Sequence, residues 1–406
     1  MNRRQVLQGG ANALVLGGGF GLLTKLGLAA EALPQGTIAA QALEALRDKV
    51  PLIRKTIRPP NFETPVQYFN EAFTPNNAFF VRYHLADIPE VDAASWKLTV
   101  GGAAAGQQVQ FTLDDLKKNF DRVEIAAVCQ CSGNRRGFSV PHVPGVEWGS
   151  GAMGNARWAG VRLKDLLAKA GLSDAAIEVA FNGADGPVYD KTPDFQKSLP
   201  IWKATDENTL IAYEMNGEAL PHWNGFPVRL IVPGWTGTYW VKHLIEVKTL
   251  SEPLKTFWMN PAYRVPRSLF PIVERFSSQE AALSPSTPIT EIVVNSMITN
   301  LADGAQLKAG QPVELRGIAW DGGYGIVEVA LSSDGGKSWI PATLAEDLGR
   351  FSWRQWSYQL PPQQPGGVTV MVRARNKMGQ TQVDSLLFNG AGYQNNVVQA
   401  LRLSVA

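Results

Sequence analysis

Residues Val123 to Phe138 read VEIAAVCQCSGNRRGF, and the fold around them is decided by how this stretch is taken. VEIAAV is rich in strand formers, so a strand is expected to run into the segment. Strand side chains alternate between faces, which puts Cys129 and Cys131 on the same one. Ser-Gly-Asn then turns the chain, and Arg135 and Arg136 follow. These are the only two cysteines in 406 residues. A thiol beside cations suits a nucleophile or a soft metal ligand, because the positive field favours the thiolate. A packed structural cysteine is the plainer reading, and a Cys129–Cys131 disulfide would close a strained ring.

Working outward, the flanking elements do not form a regular βαβ repeat. KLTVGG, IEVAFNG and FPVRLIVPG read as strands. FTLDDLKKNF predicts a helix with Thr112 as N-cap and Asp115 three residues on, the pattern of a capping box. VRLKDLLAKAG places Leu163, Leu166, Leu167 and Ala170 on one helical face, with Gly171 as its stop. Mixed short strands and helices predict an α+β domain rather than a doubly wound sheet. Composition shifts at LSPSTPIT. Beyond it, GIVEVALSSDGGKSW reads as a hairpin, and VTVMVRARN puts Val370, Val372 and Ala374 on one face. Short strands at roughly ten-residue spacing predict an all-β immunoglobulin-like sandwich. The expected organisation is an N-terminal signal over 1–32, an arm over 33–64, a catalytic domain over 65–286 and the sandwich over 287–406. The arm reads as helical, then Pro-rich, lying over the body.

The first 32 residues read as an export signal. Arg3 and Arg4 precede a Gly-rich, mildly apolar run that ends at Ala30-Glu31-Ala32, an A-x-A cleavage pattern. Adjacent arginines and low hydrophobicity point to the twin-arginine route, and so to the periplasm. A retained amphipathic helix is the alternative. Lys25 interrupts the run and argues against a permanent span, so no membrane span is expected in the mature chain. Proteins exported folded commonly carry a cofactor loaded beforehand.

Apolar residues make up 45% and charged residues 18%, at a net charge of +2. A large core is possible, and the bulk charge implies no nucleic-acid partner. Four histidines without ligand spacing and two cysteines cannot build a zinc site or an iron–sulfur cluster from local motifs. There is no C-x-x-C-H, no Walker A and no G-x-S-x-G. Arg82, Arg135, Arg136 and Arg229 instead sit in apolar or Gly/Pro-rich surroundings. Arginine placed so pairs with a carboxylate or holds an oxyanion through its planar fork.

FFVRYH, CSGNRRG, YEMNGEALPHWNGFPVRLIVPGWTGTYWVKHL and FWMNPAYRVP occur in that order, and GIAWDGGYGIVEVALSSDGGKSW follows. Together these stretches resemble the sulfite oxidase family of molybdenum enzymes, and most closely its bacterial periplasmic sulfite dehydrogenases. The resemblance implies a molybdenum–molybdopterin cofactor, one metal per chain, with Cys131 as the protein thiolate on the metal and Cys129 as no ligand. It implies that Arg82 and Arg136 line the substrate pocket and that Tyr263 reaches an oxygen at the reacting centre. Arg82, His84, Asp185, Asn224, Arg229, Trp240, Val241 and Lys242 would surround the molybdopterin, with Arg229 and Lys242 near its phosphate. The implied reaction oxidises sulfite to sulfate and passes electrons to a c-type cytochrome, with no haem in this chain. A homodimer through the C-terminal domain is implied as well. Two departures stand out. Animal relatives carry His where Asn224 stands. They also carry a further substrate arginine near the C-terminus, where this chain offers only Gln394 or, further on, Arg402. A reductase of an oxyanion or sulfoxide on the same cofactor is the neighbouring alternative. A periplasmic binding protein without cofactor is the alternative of another class.

Overall fold

The described residues form six sheets and a few short helices, and the ends of three of the sheets meet at one place. The computed structural model describes residues 43–269 and 285–406. The signal expected over 1–32 and the start of the arm lie outside the described residues.

Three sheets build the first domain. One carries Leu43–Glu44, Leu52–Thr56, Asn61–Glu63 and Val81–Arg82 in that order. A second orders Gln196–Pro200, Glu178–Gly183, Leu244–Leu250, Leu98–Gly102 and Val109–Phe111. In the third, Val123–Gln130 is an edge strand paired antiparallel with Met153–Arg162, which pairs in turn with Leu210–Met215. Glu218–Ala219 and Arg229–Ile231 both pair with Leu210–Met215. Among the described residues the balance is mostly β, with α-helices at Leu113–Asn119, Leu163–Lys169 and Ile201–Ala204.

The first two helices start and stop as local chemistry dictates. Thr112 caps Leu113–Asn119. Its Oγ1 accepts from the Asp115 amide at 3.1 Å, and Asp115 Oδ2 accepts from the Thr112 amide at 2.9 Å. Thr112→Ala removes one of these two bonds and is expected to cost about 1 kcal/mol, read as a small fall in melting temperature. Leu163–Lys169 buries Leu163, Leu166 and Leu167. It ends before Gly171, whose φ of +71° is open to glycine at no steric cost.

The arm differs from the expected helix. Its described part is strand and turn, because Asn61–Glu63 pairs with Val81–Arg82 and draws the preceding strands into the same sheet. Leu52 and Phe62 are buried there with Val81 and Tyr83. The periodicity within 43–56 does not announce this, since the partner strand is distant in sequence.

The C-terminal part is a sandwich of two sheets. One orders Asn295–Ile298, Val313–Trp320, Arg354–Leu360 and Thr343–Leu344. The other orders Gln306–Leu307, Gln399–Val405, Gly366–Asn376, Ile326–Ser332 and Ile340–Pro341. Both faces feed one core. Leu315 and Trp356 come from the first sheet, while Val370, Val372 and Ala374 come from the second.

The two parts also share a core. Phe69, Val128 and Met153 pack with Ile292, Met297, Ile318, Trp320 and Trp353. Burying a side chain such as Phe69 contributes about 1.5–3 kcal/mol. The Val128 amide donates to Phe351 O at 2.9 Å, and Trp320 Nε1 donates to Gln130 Oε1 at 2.6 Å. The free edge of Val123–Gln130 is thus occupied by the second domain.

Candidate active site

Strand ends deliver the functional side chains. Arg82 closes Val81–Arg82, Cys131 follows Val123–Gln130, and Asp185 follows Glu178–Gly183. Arg229 opens its strand, and Trp240, Val241 and Lys242 lie on the approach to Leu244–Leu250. They surround a cavity lined also by His84, Cys129, Asn224 and Tyr263.

The thiols are fixed by the backbone. The Cys131 amide donates to Ala152 O at 2.9 Å, extending the ladder one residue past the strand. The Asn134 amide closes the turn onto Cys131 O at 2.9 Å, and Asn134 Oδ1 accepts from the Ala152 amide at 3.0 Å. Ser132 Oγ donates to Thr236 Oγ1 at 2.8 Å. Both cysteines face the cavity, as alternation requires, and both are free thiols. Burial pushes the Cys129 thiol up to about 11, even though Arg229 Nη2 lies 4.0 Å away and opposes the shift. Cys129 therefore stays protonated at neutral pH.

The adjacent arginines separate. Arg135 takes a left-handed conformation, φ +69°, which sends the two side chains different ways. Arg135 enters the domain junction and donates to Asn295 Oδ1 at 2.9 Å and Val397 O at 2.7 Å. Burial lowers its guanidinium to about 10. Arg136, expected in the substrate pocket, is not among the side chains lining the cavity. Its Nε donates to Ala391 O at 2.6 Å and its Nη1 to Val146 O at 3.2 Å, and it stands 5.1 Å from the Tyr393 ring. Tyr393 stacks on Tyr263 at 5.5 Å and 20°. Arg136 thus reaches the cavity only through two rings. Gln394 and Arg402 are also off the wall. Gln394 Nε2 donates to Glu291 O at 3.2 Å, and Arg402 pairs with Asp303 at 2.6 Å on the surface. Arg135→Met would remove two charge-assisted bonds across the domain junction. It is expected to cost roughly 2–3 kcal/mol of stability, read in a denaturant titration, with substrate KM unmoved.

Positive charge dominates the wall. Arg229 donates from Nη1 to Asn224 O at 2.9 Å and from Nη2 to Trp240 O at 3.2 Å, and its Nε has no protein partner. Lys242 Nζ donates to Arg82 O at 2.8 Å and Trp223 O at 3.3 Å. Burial, with Arg229 adding to it, drives the Lys242 ammonium well below its usual range. Asp185 is the one carboxylate on the wall, raised to about 6 by burial although Lys242 opposes this. His84 bonds to the Tyr263 hydroxyl through Nε2 and stacks on Phe195 at 3.7 Å. Burial, then the charge of Arg82 and Lys242, pushes His84 well below 6.5, so it is neutral at physiological pH. Burial raises the Tyr263 hydroxyl, which keeps its proton.

Several residues of the site carry no sequence signal. Lys197 is fully buried, donates to Trp258 O at 2.6 Å, and lies 5.0 Å from the Tyr263 ring. Its segment, DFQKSLP, reads like a solvated turn. Tyr393 arrives from the second domain and could not be placed by local pattern.

The wall fits an anionic group that carries a metal with most of its own ligands. Arg82, Arg229 and Lys242 outnumber one carboxylate, and the Arg229 Nε awaits an acceptor. Among the described residues no cluster of three or more His, Cys, Asp or Glu side chains could hold a metal unaided. The protein's own contribution to such a metal reduces to a soft donor, and Cys131 stands at the cavity to supply it.

Comparison with known proteins points to a molybdopterin-binding domain. Residues 84–258 match the model of the oxidoreductase molybdopterin binding domain, and residues 286–405 match the Mo-co oxidoreductase dimerisation domain. The chain is 37% identical to mitochondrial sulfite oxidase of Mus musculus over 86% of its own length and 64% of that protein's, so it spans somewhat under two thirds of that relative. It is 33% identical to sulfite oxidase of Gallus gallus, covering 81% of this chain and 72% of that one. In fold it is similar to the sulfane dehydrogenase SoxCD from Paracoccus pantotrophus, with a TM-score of 0.72 at 23% identity and 92% coverage of both chains. Among the described residues no helix is long and apolar enough to cross a membrane.

Proposed function

The chain belongs to the sulfite oxidase family of molybdopterin enzymes, and from that premise we propose that it is a sulfite dehydrogenase. Sulfite and water become sulfate, two protons and two electrons, and the electrons leave singly to an external c-type cytochrome. The observation that carries this reading is the cation-rich cavity in which Cys131 stands as a soft donor with Arg82 and Tyr263 on the same wall.

In this reading Arg229 and Lys242 would hold the cofactor's phosphate end, while His84, Asp185, Asn224, Trp240 and Val241 would surround its pterin. The Arg229 Nε gains the acceptor it lacks. Cys131 binds the metal as thiolate. When bound, the cofactor supplies oxygen transfer and a two-electron sink. Arg82 draws the small dianion in and orients it through charge-assisted hydrogen bonds. Tyr263, held by neutral His84, donates its retained proton as a hydrogen bond to an oxygen of the bound anion. The aromatic side chains of Tyr83, Phe195 and Trp240 on the wall keep water from competing for these donors.

Export by the twin-arginine route, a periplasmic location and a homodimer through residues 286–405 belong to the same proposal. Molybdenum analysis of exported protein, joined to a sulfite–cytochrome c assay, tests it. About one molybdenum per chain and sulfite-dependent reduction are expected. Metal-replete protein that ignores sulfite would refute the reading. Reduced dye with nitrate or sulfoxides would then reveal a reductase.

A further inference from the structure

The segment 46–50 bonds to Trp223 and Asn224, two wall residues that Lys242 and Arg229 also hold. Lys49 is buried, 8% exposed, and its Nζ donates to Asn76 O at 2.6 Å, Phe79 O at 3.1 Å and Asn224 Oδ1 at 2.6 Å. Among the described residues no carboxylate lies within ion-pair distance of it. The Val50 amide donates to Asn77 O at 3.1 Å, and Trp223 Nε1 donates to Arg47 O at 3.0 Å. The segment therefore ties two stretches of wall together, 76–80 on one side and 222–224 on the other.

The grip is two-sided. Residues 46–50 hold the side chains of Trp223 and Asn224. From the cavity side, Lys242 and Arg229 hold the backbone carbonyls of the same two residues, at 3.3 and 2.9 Å. Asn224 adds a bond of its own across the gap, from Nδ2 to Phe80 O at 3.1 Å.

A buried ammonium met only by neutral oxygens is costly to keep. An anion in the cavity lowers that cost, because Asn224 both lines the cavity and touches Nζ. Linkage makes the effect reciprocal. If a bound anion favours the closed segment, the closed segment slows the anion's exit.

We infer that residues 46–50 are a latch over the phosphate end of the cofactor cavity, locked by Lys49 as a positioning residue, and that the latch closes on the loaded protein. This rests on the function proposed above. It assigns to the N-terminal arm the retention of the cofactor.

Two measurements test it. The first is trypsin cleavage after Arg47 and Lys49 in the wild-type protein, made with cofactor and made in a host unable to synthesise it. Cleavage is expected to be at least roughly tenfold faster without cofactor, the effect of losing one charge-assisted contact. Equal rates overturn the latch. The second is the rate of molybdenum release from Lys49→Met, followed by metal analysis. The comparator is a sandwich variant, Val370→Ala, under conditions that match the two melting temperatures. Release at least roughly tenfold faster from Lys49→Met supports the latch; equal release overturns it while leaving the proposed function standing. Wild-type protein without molybdenum would overturn both.

Discussion

Cys131→Ser is expected to lower sulfite turnover by roughly a thousandfold or more, about 4 kcal/mol of transition-state stabilisation. Serine keeps the size of the side chain but presents a hard oxygen that holds its proton, so it replaces the thiolate poorly on a soft-ligand metal. The backbone supports around position 131, from Ala152 O and the Asn134 amide, do not depend on sulfur and should survive the change. Cys129→Ser is the control. Cys129 shares the same face, but burial keeps its thiol protonated, near 11, and its neighbour is Arg229. Most activity should remain, with a stability loss of about 1–2 kcal/mol from burying a hydroxyl. Steady-state kinetics with metal analysis separates loss of chemistry from loss of cofactor. Equal losses in the two variants would contradict the assignment.

Arg82→Met is expected to reduce kcat/KM by roughly tenfold to a hundredfold, mainly through KM, as removing one charge-assisted contact of about 1.5–3 kcal/mol implies. Methionine retains the length and loses the charge. Arg82 is anchored by a hydrogen bond to Tyr83 O, and its Nη2 stands 3.4 Å from the Tyr263 hydroxyl. It lines the cavity, whereas Arg136 does not. The variant should also show weaker inhibition by sulfate and a flatter dependence on ionic strength. An unchanged KM would remove Arg82 from the substrate's environment.

What could be read in the chain beforehand was what neighbouring residues decide among themselves. The Thr112–Asp115 cap and the stop at Gly171 need only a few residues, and they stand as expected. So does the alternation of VTVMVRARN, where Val370, Val372 and Ala374 are fully buried. The cavity wall was legible through motif resemblance, since NGFPVR and WVKHL carry their residues on strand ends. Local pattern fails where a distant partner decides. One left-handed residue, Arg135, determines that its neighbour does not line the cavity, and nothing in GNRRG states this. Lys49 and Lys197 look like ordinary surface lysines until sheets far apart in sequence enclose them. The arm reads as helix because the strand that recruits it lies at Val81–Arg82.

Phe351 pairs with the outer edge of the strand that leads to Cys131. The C-terminal sandwich is therefore no detachable accessory. Cutting the chain near 286 would bare the Val128 amide on the strand that leads to Cys131, together with the apolar surface around Val128 and Met153. An unprotected edge of that kind recruits strands from other molecules. Engineers wishing to graft this catalytic half onto another scaffold would have to carry a substitute for Phe351, or the fragment would precipitate before it could be assayed.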